Sequence, residues 1–381
     1  MDYGLYVHIP FCRQKCFYCD FPSYAGREEL MEQYIDAMLF ELERRTEGLP
    51  PPGTVYIGGG TPTVLPPFLL ARVLEALGRK LPPGGTVEFS LEANPGTVSG
   101  ETFSLAAACG VNRVSLGVQS FDDGRLKKIG RIHTVADAAL AVELVRRAGI
   151  KNLNLDLIYA LPDETLTDLQ HDLKAAVALG PEHISIYGLQ VEEGTVFGRL
   201  QEEGRLSLPD EDTAEAMYDW LTAELPRQGY ERYEISNFAR RGFESRHNLG
   251  YWQDRPYIGI GAAAHSFWDN RRQENPADLK EYIGAIGRGE LPLRETERPT
   301  RANLMSEFCF LALRTAEGID KAFFERKFGV PVAEIYAAAI ERLRGWGLLR
   351  ETAERISLTP QGMKLGNVAF AEFLLDEDAE C

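Results

Sequence analysis

Over roughly the first 220 residues, short strand-forming runs alternate with amphipathic helical stretches, and few folds accommodate that alternation. The strand runs are LYVHI from Leu5, VYIG from Val55, TVEFSLE from Thr86, VNRVSLGV from Val111, LNLDLI from Leu153 and HISIYGL from His183. Between the first two, Leu30, Met31, Tyr34, Ile35, Met38, Leu39 and Leu42 recur at three- and four-residue steps, which is one face of a helix. Pro66 and Pro67 open the second crossover, and Thr134 with Asp137 supplies a capped start for a later one. The expected class is α/β with a parallel sheet. Six βα units are fewer than a closed barrel's eight, so a partial, open (β/α)6 TIM-like barrel is expected.

After Gly229 the pattern loosens. GYERYEISNFA and RPYIGIGAAAHSF read as two more strand segments, with RHNLGYW in a long irregular loop between them. RETERPTR from Arg294 is charged and contains proline, the signature of a linker. Helical runs follow, then a hairpin-like GLLRETAERISLT, then a helix with Thr359 as cap and Pro360 at its first position. The expected division is a barrel over 1–228, an extension carrying the HNxxYW loop over 229–293, and a smaller α+β winged-helix-like domain over 294–381. No internal repeat or low-complexity tract interrupts it.

Composition removes several function classes. The chain has 381 residues, 44% hydrophobic and 26% charged, the mix of an ordinary globular protein. Only the acidic end, DEDAEC, invites disorder. Forty-one basic against 57 acidic side chains leave a net charge of −16, which repels nucleic-acid phosphates and anionic lipid alike. Apolar runs are too short to span a membrane, and MDYGLYVHIPF lacks the features of a secretory or transit leader. Six cysteines are too sparse for a disulfide scaffold. The expected location is the reducing cytoplasm, at most peripheral to a membrane.

Three of those cysteines, Cys12, Cys16 and Cys19, fall in a C-x3-C-x2-C directly after the first strand. A loop there lets three thiolates face one soft metal centre at the catalytic face of a barrel-type sheet. Three ligands fall short of a closed zinc site or a fully ligated iron–sulfur cluster, and a four-iron cluster so held keeps one iron open. Zinc completed by His8, or a redox pair of Cys16 and Cys19, would use some of the same residues. Cys109, Cys309 and Cys381 are scattered and read as inert thiols. Gly58, Gly59, Gly60, Thr61 and Pro62 follow the second strand, where backbone groups can face a polar ligand, although a tight turn would use the same residues. Glu92, Gln119 and Asp156 lie on or just after successive strands, where polar side chains converge on one mouth. In RHNLGYW, Arg246, His247, Asn248, Tyr251 and Trp252 form either a packed, hydrogen-bonded corner or a place for heme. His265 reads as structural.

YVHIPFCRQKCFYCDF resembles the cluster loop of radical S-adenosylmethionine (SAM) enzymes, in particular the group related to oxygen-independent coproporphyrinogen III oxidase (HemN). The resemblance continues through GGGTPT, LEANPGT, SLGVQSFDD, LKKIGRIHT, NLDLIYALP and YEISNFA, nearly the whole chain. It implies a radical SAM barrel with a HemN-type C-terminal domain. It further implies a [4Fe–4S] cluster on Cys12, Cys16 and Cys19, SAM on the open iron, and an electron donor to the cluster. By the same resemblance Gly59, Gly60 and Thr61 meet the methionine part of SAM. Glu92, Gln119 and Asp156 contact SAM, Tyr6 flanks it, Tyr18 joins the cofactor-binding set, and Arg131 pairs with a carboxylate.

Within that group the H-N-x-x-Y-W element is similar to the heme-chaperone (HemW) branch, which implies heme as a further ligand, with His247 as its candidate axial ligand. Two departures from the oxidases agree. Phe21 stands where they carry a further cysteine, and only five residues precede Tyr6, where they carry an extension that helps form the substrate site. The expected function is a heme chaperone that binds heme, the cluster and SAM and passes heme to an acceptor such as a respiratory-chain hemoprotein, which can be membrane-bound. The alternative is coproporphyrinogen III oxidase. A homodimer is compatible with either, and no nucleic-acid partner is expected.

Overall fold

The computed structural model describes residues 2–82 and 87–375; Thr86 and the DEDAEC tail with Cys381 lie outside the described residues. Six parallel strands follow the chain: β1 (Gly4–Ile9), β2 (Thr54–Gly59), β3 (Glu88–Ala93), β4 (Arg113–Gln119), β5 (Asn152–Tyr159) and β6 (His183–Gly188). They pair in order, each with the next. Beyond β6 come β7 (Glu231–Arg232) and β8 (Asn237–Ala239), which pair with each other, β8 lying antiparallel on β6. On the other side β9 (Tyr257–Ile260) runs parallel to β1, and β10 (His265–Trp268), β11 (Arg271–Glu274) and β12 (Arg294–Glu297) continue antiparallel. The twelve strands form one sheet whose ends do not pair with each other. The open (β/α)6 barrel read from the sequence is therefore present, extended at both edges.

The crossovers form where the periodicity places them. The helix Met31–Thr46 buries Met31, Tyr34, Ile35, Met38 and Leu42 against the sheet. Thr134 and Asp137 form a reciprocal capping box, as do Thr165 and Asp168. The C-terminal part has its own apolar core, including Met305, Phe308, Leu313, Phe324, Ile340, Leu343 and Ile356. A three-stranded sheet from Ile319–Asp320, Leu349–Glu351 and Arg355–Leu358 sits beside the helices Arg301–Leu313, Lys321–Phe328 and Val332–Gly345.

Two local readings are corrected. RETERPTR begins not as a linker but as β12, the exposed edge strand of the main sheet. Cross-strand pairs hold it: Arg271 to Glu295 at 3.4 Å and Arg272 to Glu297 at 3.4 Å. A charged edge strand carries no apolar alternation, so the usual signal is missing. RHNLGYW is not a loop but the helix Arg246–Trp252, with Ser245 accepting from the Asn248 N–H at its N-cap. The Glu88 carboxylate at the start of β3 accepts from the amides of Arg246 (2.8 Å) and His247 (2.9 Å). That partner lies some 158 residues away in sequence.

Candidate cofactor-binding cavity

Strand alternation builds the site. On β4, Val114, Leu116 and Val118 are fully buried in the core behind the sheet, while Arg113, Ser115, Gly117 and Gln119 face inward. On β5, Leu153, Leu155 and Leu157 pack outward, while Asn154, Asp156 and Ile158 face inward. A closed barrel fills its interior with branched apolar side chains. Here the inward positions are mostly polar and enclose a cavity of about 780 Å³. Every candidate site residue lines it: Tyr6, Cys12, Cys16, Tyr18, Cys19, Gly59, Gly60, Thr61, Glu92, Gln119, Arg131, Asp156 and His247. His265 does not; it is exposed on β10, 3.9 Å from Glu274. Cys309 is buried in the C-terminal core and Cys109 lies at the barrel surface layer, both unpaired.

The mouth is formed by the cysteine loop. Phe11–Cys12 pairs with Tyr24–Ala25, and the amide of Tyr24 donates to the Pro10 carbonyl at 2.7 Å, which pins both ends. Within it, the Cys19 amide donates to the Cys16 carbonyl at 3.2 Å. Gly60 comes so close that a Cβ there would lie 2.6 Å from the Phe11 carbonyl oxygen and 3.0 Å from Cys12 Sγ. Gly59 has φ of +109°, a conformation side-chain-bearing residues rarely adopt. Gln119 ends β4 at φ +71° beside a register shift, and this re-aims its side chain. Arg131 donates from Nη1 to Cys16 Sγ at 3.4 Å and from Nη2 to the Gly117 carbonyl. It pairs with no carboxylate of the described residues.

Burial pushes the Cys12 thiol up and the Cys19 thiol to about 11, so thiolates there need a compensating cation. Among the described residues no group of three or more His, Cys, Asp or Glu side chains is arranged to hold a metal ion. His8 is also spent: Tyr6 OH lies 2.9 Å from its Nδ1 and the Pro22 carbonyl 2.9 Å from its Nε2. Among the described residues, His8 and the three cysteines are therefore not arranged as a zinc site. A four-iron cluster asks for a different arrangement, one thiolate on each of three separate irons around a space the cluster fills. Three thiols facing one roomy cavity, with a guanidinium beside one of them, fit that group.

Deeper in, Glu92, Asp156 and Glu234 are held in the wall of the lumen, Glu234 by the Ser236 amide (2.8 Å) and Asn237 Nδ2 (2.5 Å). Glu92 accepts from Tyr56 OH (2.7 Å) and the Gly59 amide (3.2 Å), and burial raises it to about 7. Asp156 accepts from Ser115 Oγ (2.9 Å) and Asn154 Nδ2 (2.7 Å), and burial raises it as well. The helix Arg246–Trp252 closes the floor. His247 is buried there, with Thr54 Oγ1 2.8 Å from Nδ1 and Tyr251 OH 2.9 Å from Nε2, and it stacks on Tyr56 at 5.1 Å. Burial lowers it to about 3, so it is neutral. Both ring nitrogens are thus engaged, which is the hydrogen-bonded corner the sequence allows for this segment.

Sequence reading missed Tyr56, Arg113, Ser115, Asn154, Ser185 and Arg314, all of which line the cavity. A signal existed for one strand. Arg113, Ser115, Gly117 and Gln119 alternate with Val114, Leu116 and Val118, a polar face on a strand whose other face is apolar.

Residues 6–176 match the radical SAM superfamily and residues 300–365 the HemN C-terminal domain. The structure described as "Coproporphyrinogen III oxidase (HemN) from Escherichia coli is a Radical SAM enzyme" superposes with a TM-score of 0.85. That likeness covers 98% of this chain and 90% of that one at 23% identity, and it speaks to fold alone. The fold is thus of the radical SAM class, which implies a [4Fe–4S] cluster and SAM. Nearly full-length relatives narrow the class further. The chain is 38% identical to the Bacillus subtilis protein named heme chaperone HemW, over 97% of this chain and 98% of that one. It is 38% identical to the one from Lactococcus lactis, over 98% and 97%. It is 33% identical to that of Escherichia coli K12, over 98% of each. The chain belongs to the HemW family.

Proposed function

We propose that this protein is a heme chaperone. It holds a [4Fe–4S] cluster on Cys12, Cys16 and Cys19, binds SAM at the cavity mouth, and carries heme to an acceptor protein such as a respiratory hemoprotein. The observation that carries the reading is identity of 33–38% along almost the full length to proteins named heme chaperones. When bound, the cluster and SAM together supply reductive cleavage of the SAM sulfonium. The chain's own residues position and shield. Gly59 and Gly60 leave room for close backbone approach, Glu92 and Asp156 offer carboxylate oxygens to ribose or ammonium donors, and Arg131 offers charge beside Cys16. Phe21 contributes an exposed ring at the position where the oxidases carry a further cysteine.

The test is one anaerobic preparation with reconstituted cluster and SAM. It is titrated with hemin and, separately, incubated with reductant and coproporphyrinogen III. The expected result is saturable hemin binding with transfer to an apo-hemoprotein, and no product lighter by two carboxyl groups. Loss of those carboxyls, or absence of hemin binding, overturns the proposal.

A further inference from the structure

We propose that Arg113 is an anion receptor near the floor of the cavity and takes a carboxylate of the bound ligand. Arg113 is 1% exposed, lines the cavity, and carries an Nε that is buried without a partner. Among the described residues its guanidinium receives no hydrogen bond acceptor and no ion pair. An arginine stays protonated in a protein and presents a rigid fork of five N–H donors. Leaving such a buried charge without a protein partner is costly, so the lumen has donors without a protein acceptor.

The carboxylates nearest in the lumen do not fill that need. Glu92 is held by Tyr56 and Gly59, and Asp156 by Ser115 and Asn154; both feel Arg113 only through space. The place is also distinct from the mouth. Arg113 opens β4 and Gln119 ends it, a rise of roughly 20 Å at about 3.3 Å per residue. Arg113 is in register with Ser90 and so with Tyr56 and Tyr6, one level above the helix that closes the floor. Across the cavity Arg314 lies over Trp252 at 4.4 Å, and its Nε too is buried without a partner. A planar carboxylate meets the arginine fork in two parallel hydrogen bonds. The ligand chemistry is therefore a carboxylate on a body able to lie among Tyr56, Tyr251 and Trp252. A heme propionate has it; the methionine end of SAM carries the same group, but SAM seated at the mouth would have to extend down the lumen to present it here. The heme source rests on the function proposed above; the receptor itself does not.

The experiment compares the full chain with Arg113→Met and Arg113→Lys, using hemin, hemin dimethyl ester and SAM as probes. If a propionate is the anion, Arg113→Met weakens hemin roughly tenfold or more, and the ester binds wild type as weakly as hemin binds the variant. If SAM supplies it, SAM weakens by that factor and hemin does not. Arg113→Lys keeps charge but loses the fork, and should fall between. The ligand-free melting temperature separates a structural role: Arg113→Met should nearly hold it, because no hydrogen bond among the described residues is lost and the cost of burying the charge offsets its through-space attraction to Glu92 and Asp156. Unchanged affinity for both hemin and SAM overturns the proposal, as does a lowered ligand-free melting temperature with affinity intact. If wild type binds no hemin, the chaperone reading fails and the SAM comparison alone decides Arg113.

Discussion

Glu92 shows how the lumen tunes single residues. Burial outweighs the hydrogen bonds from Tyr56 and Gly59 and the charge of Arg113, so its carboxyl titrates near 7. The sign follows from linkage: a carboxyl whose folded pKa lies above its unfolded value adds stability below the unfolded value, and this is lost as pH rises through the folded one. Glu92's own contribution to the stability of the ligand-free chain should thus fall between about pH 4.5 and about pH 7, against the opposite slope of the buried His133 and His247, and Glu92→Gln should remove that contribution. Calorimetry at several pH values checks it, and an unchanged slope refutes the assignment. Glu164, also raised to about 7, leaves a residual slope in the variant. At this scale much was legible beforehand. Cys12, Cys16, Cys19, Glu92, Gln119, Arg131 and Asp156 were singled out and share one cavity. His247 was singled out too, but nothing in RHNLGYW reports that Thr54 and Tyr251 occupy both ring nitrogens.

Elements set where those residues meet, and the helix Arg246–Trp252 is the instructive case. Its seven residues are too few to be stable by propensity alone. Glu88, 6% exposed, supplies what is missing by accepting from two first-turn amides at the positive end of the helix. Glu88→Ala leaves those buried donors unpaired and should cost about 2–4 kcal/mol, read as a lowered urea midpoint. A midpoint unchanged within error would mean the helix is held by packing alone. Glu41 plays a matching role behind the sheet. Its buried carboxylate accepts from the Gly261 amide (2.9 Å), Asn275 Nδ2 (2.7 Å) and Tyr282 OH (2.5 Å), with Arg45 3.6 Å away. It thereby ties the first crossover helix to the segment after β9. Helices with periodic apolar faces were legible for a simple reason: Leu42 or Val145 must be buried whatever else happens. Elements specified by one distant carboxylate, or by cross-strand charges as in β12, carry no such local mark.

Among the described residues the two largest apolar cores belong to the barrel and to the C-terminal part, and the wall of the large cavity draws on both parts. Trp252 from the barrel side stacks under Arg314 of the C-terminal domain, Glu234 bridges to Thr315, and Asp254 pairs with Lys327. Filling the cavity should therefore be felt beyond the barrel. SAM at about a hundred times its dissociation constant adds about 2.7 kcal/mol to whatever unit contains the site. In scanning calorimetry of the reconstituted chain, SAM should move the barrel transition upward, and the shared wall should carry part of that shift to the C-terminal core. Arg314→Ala should keep the first shift and lose most of the second. Gly60→Val, which drives a side chain into the Phe11 carbonyl and Cys12, should lose both. If the C-terminal transition stays fixed in the wild type while the barrel's moves, the two parts share a wall but not a free energy. Arg314 would then be a lining residue only.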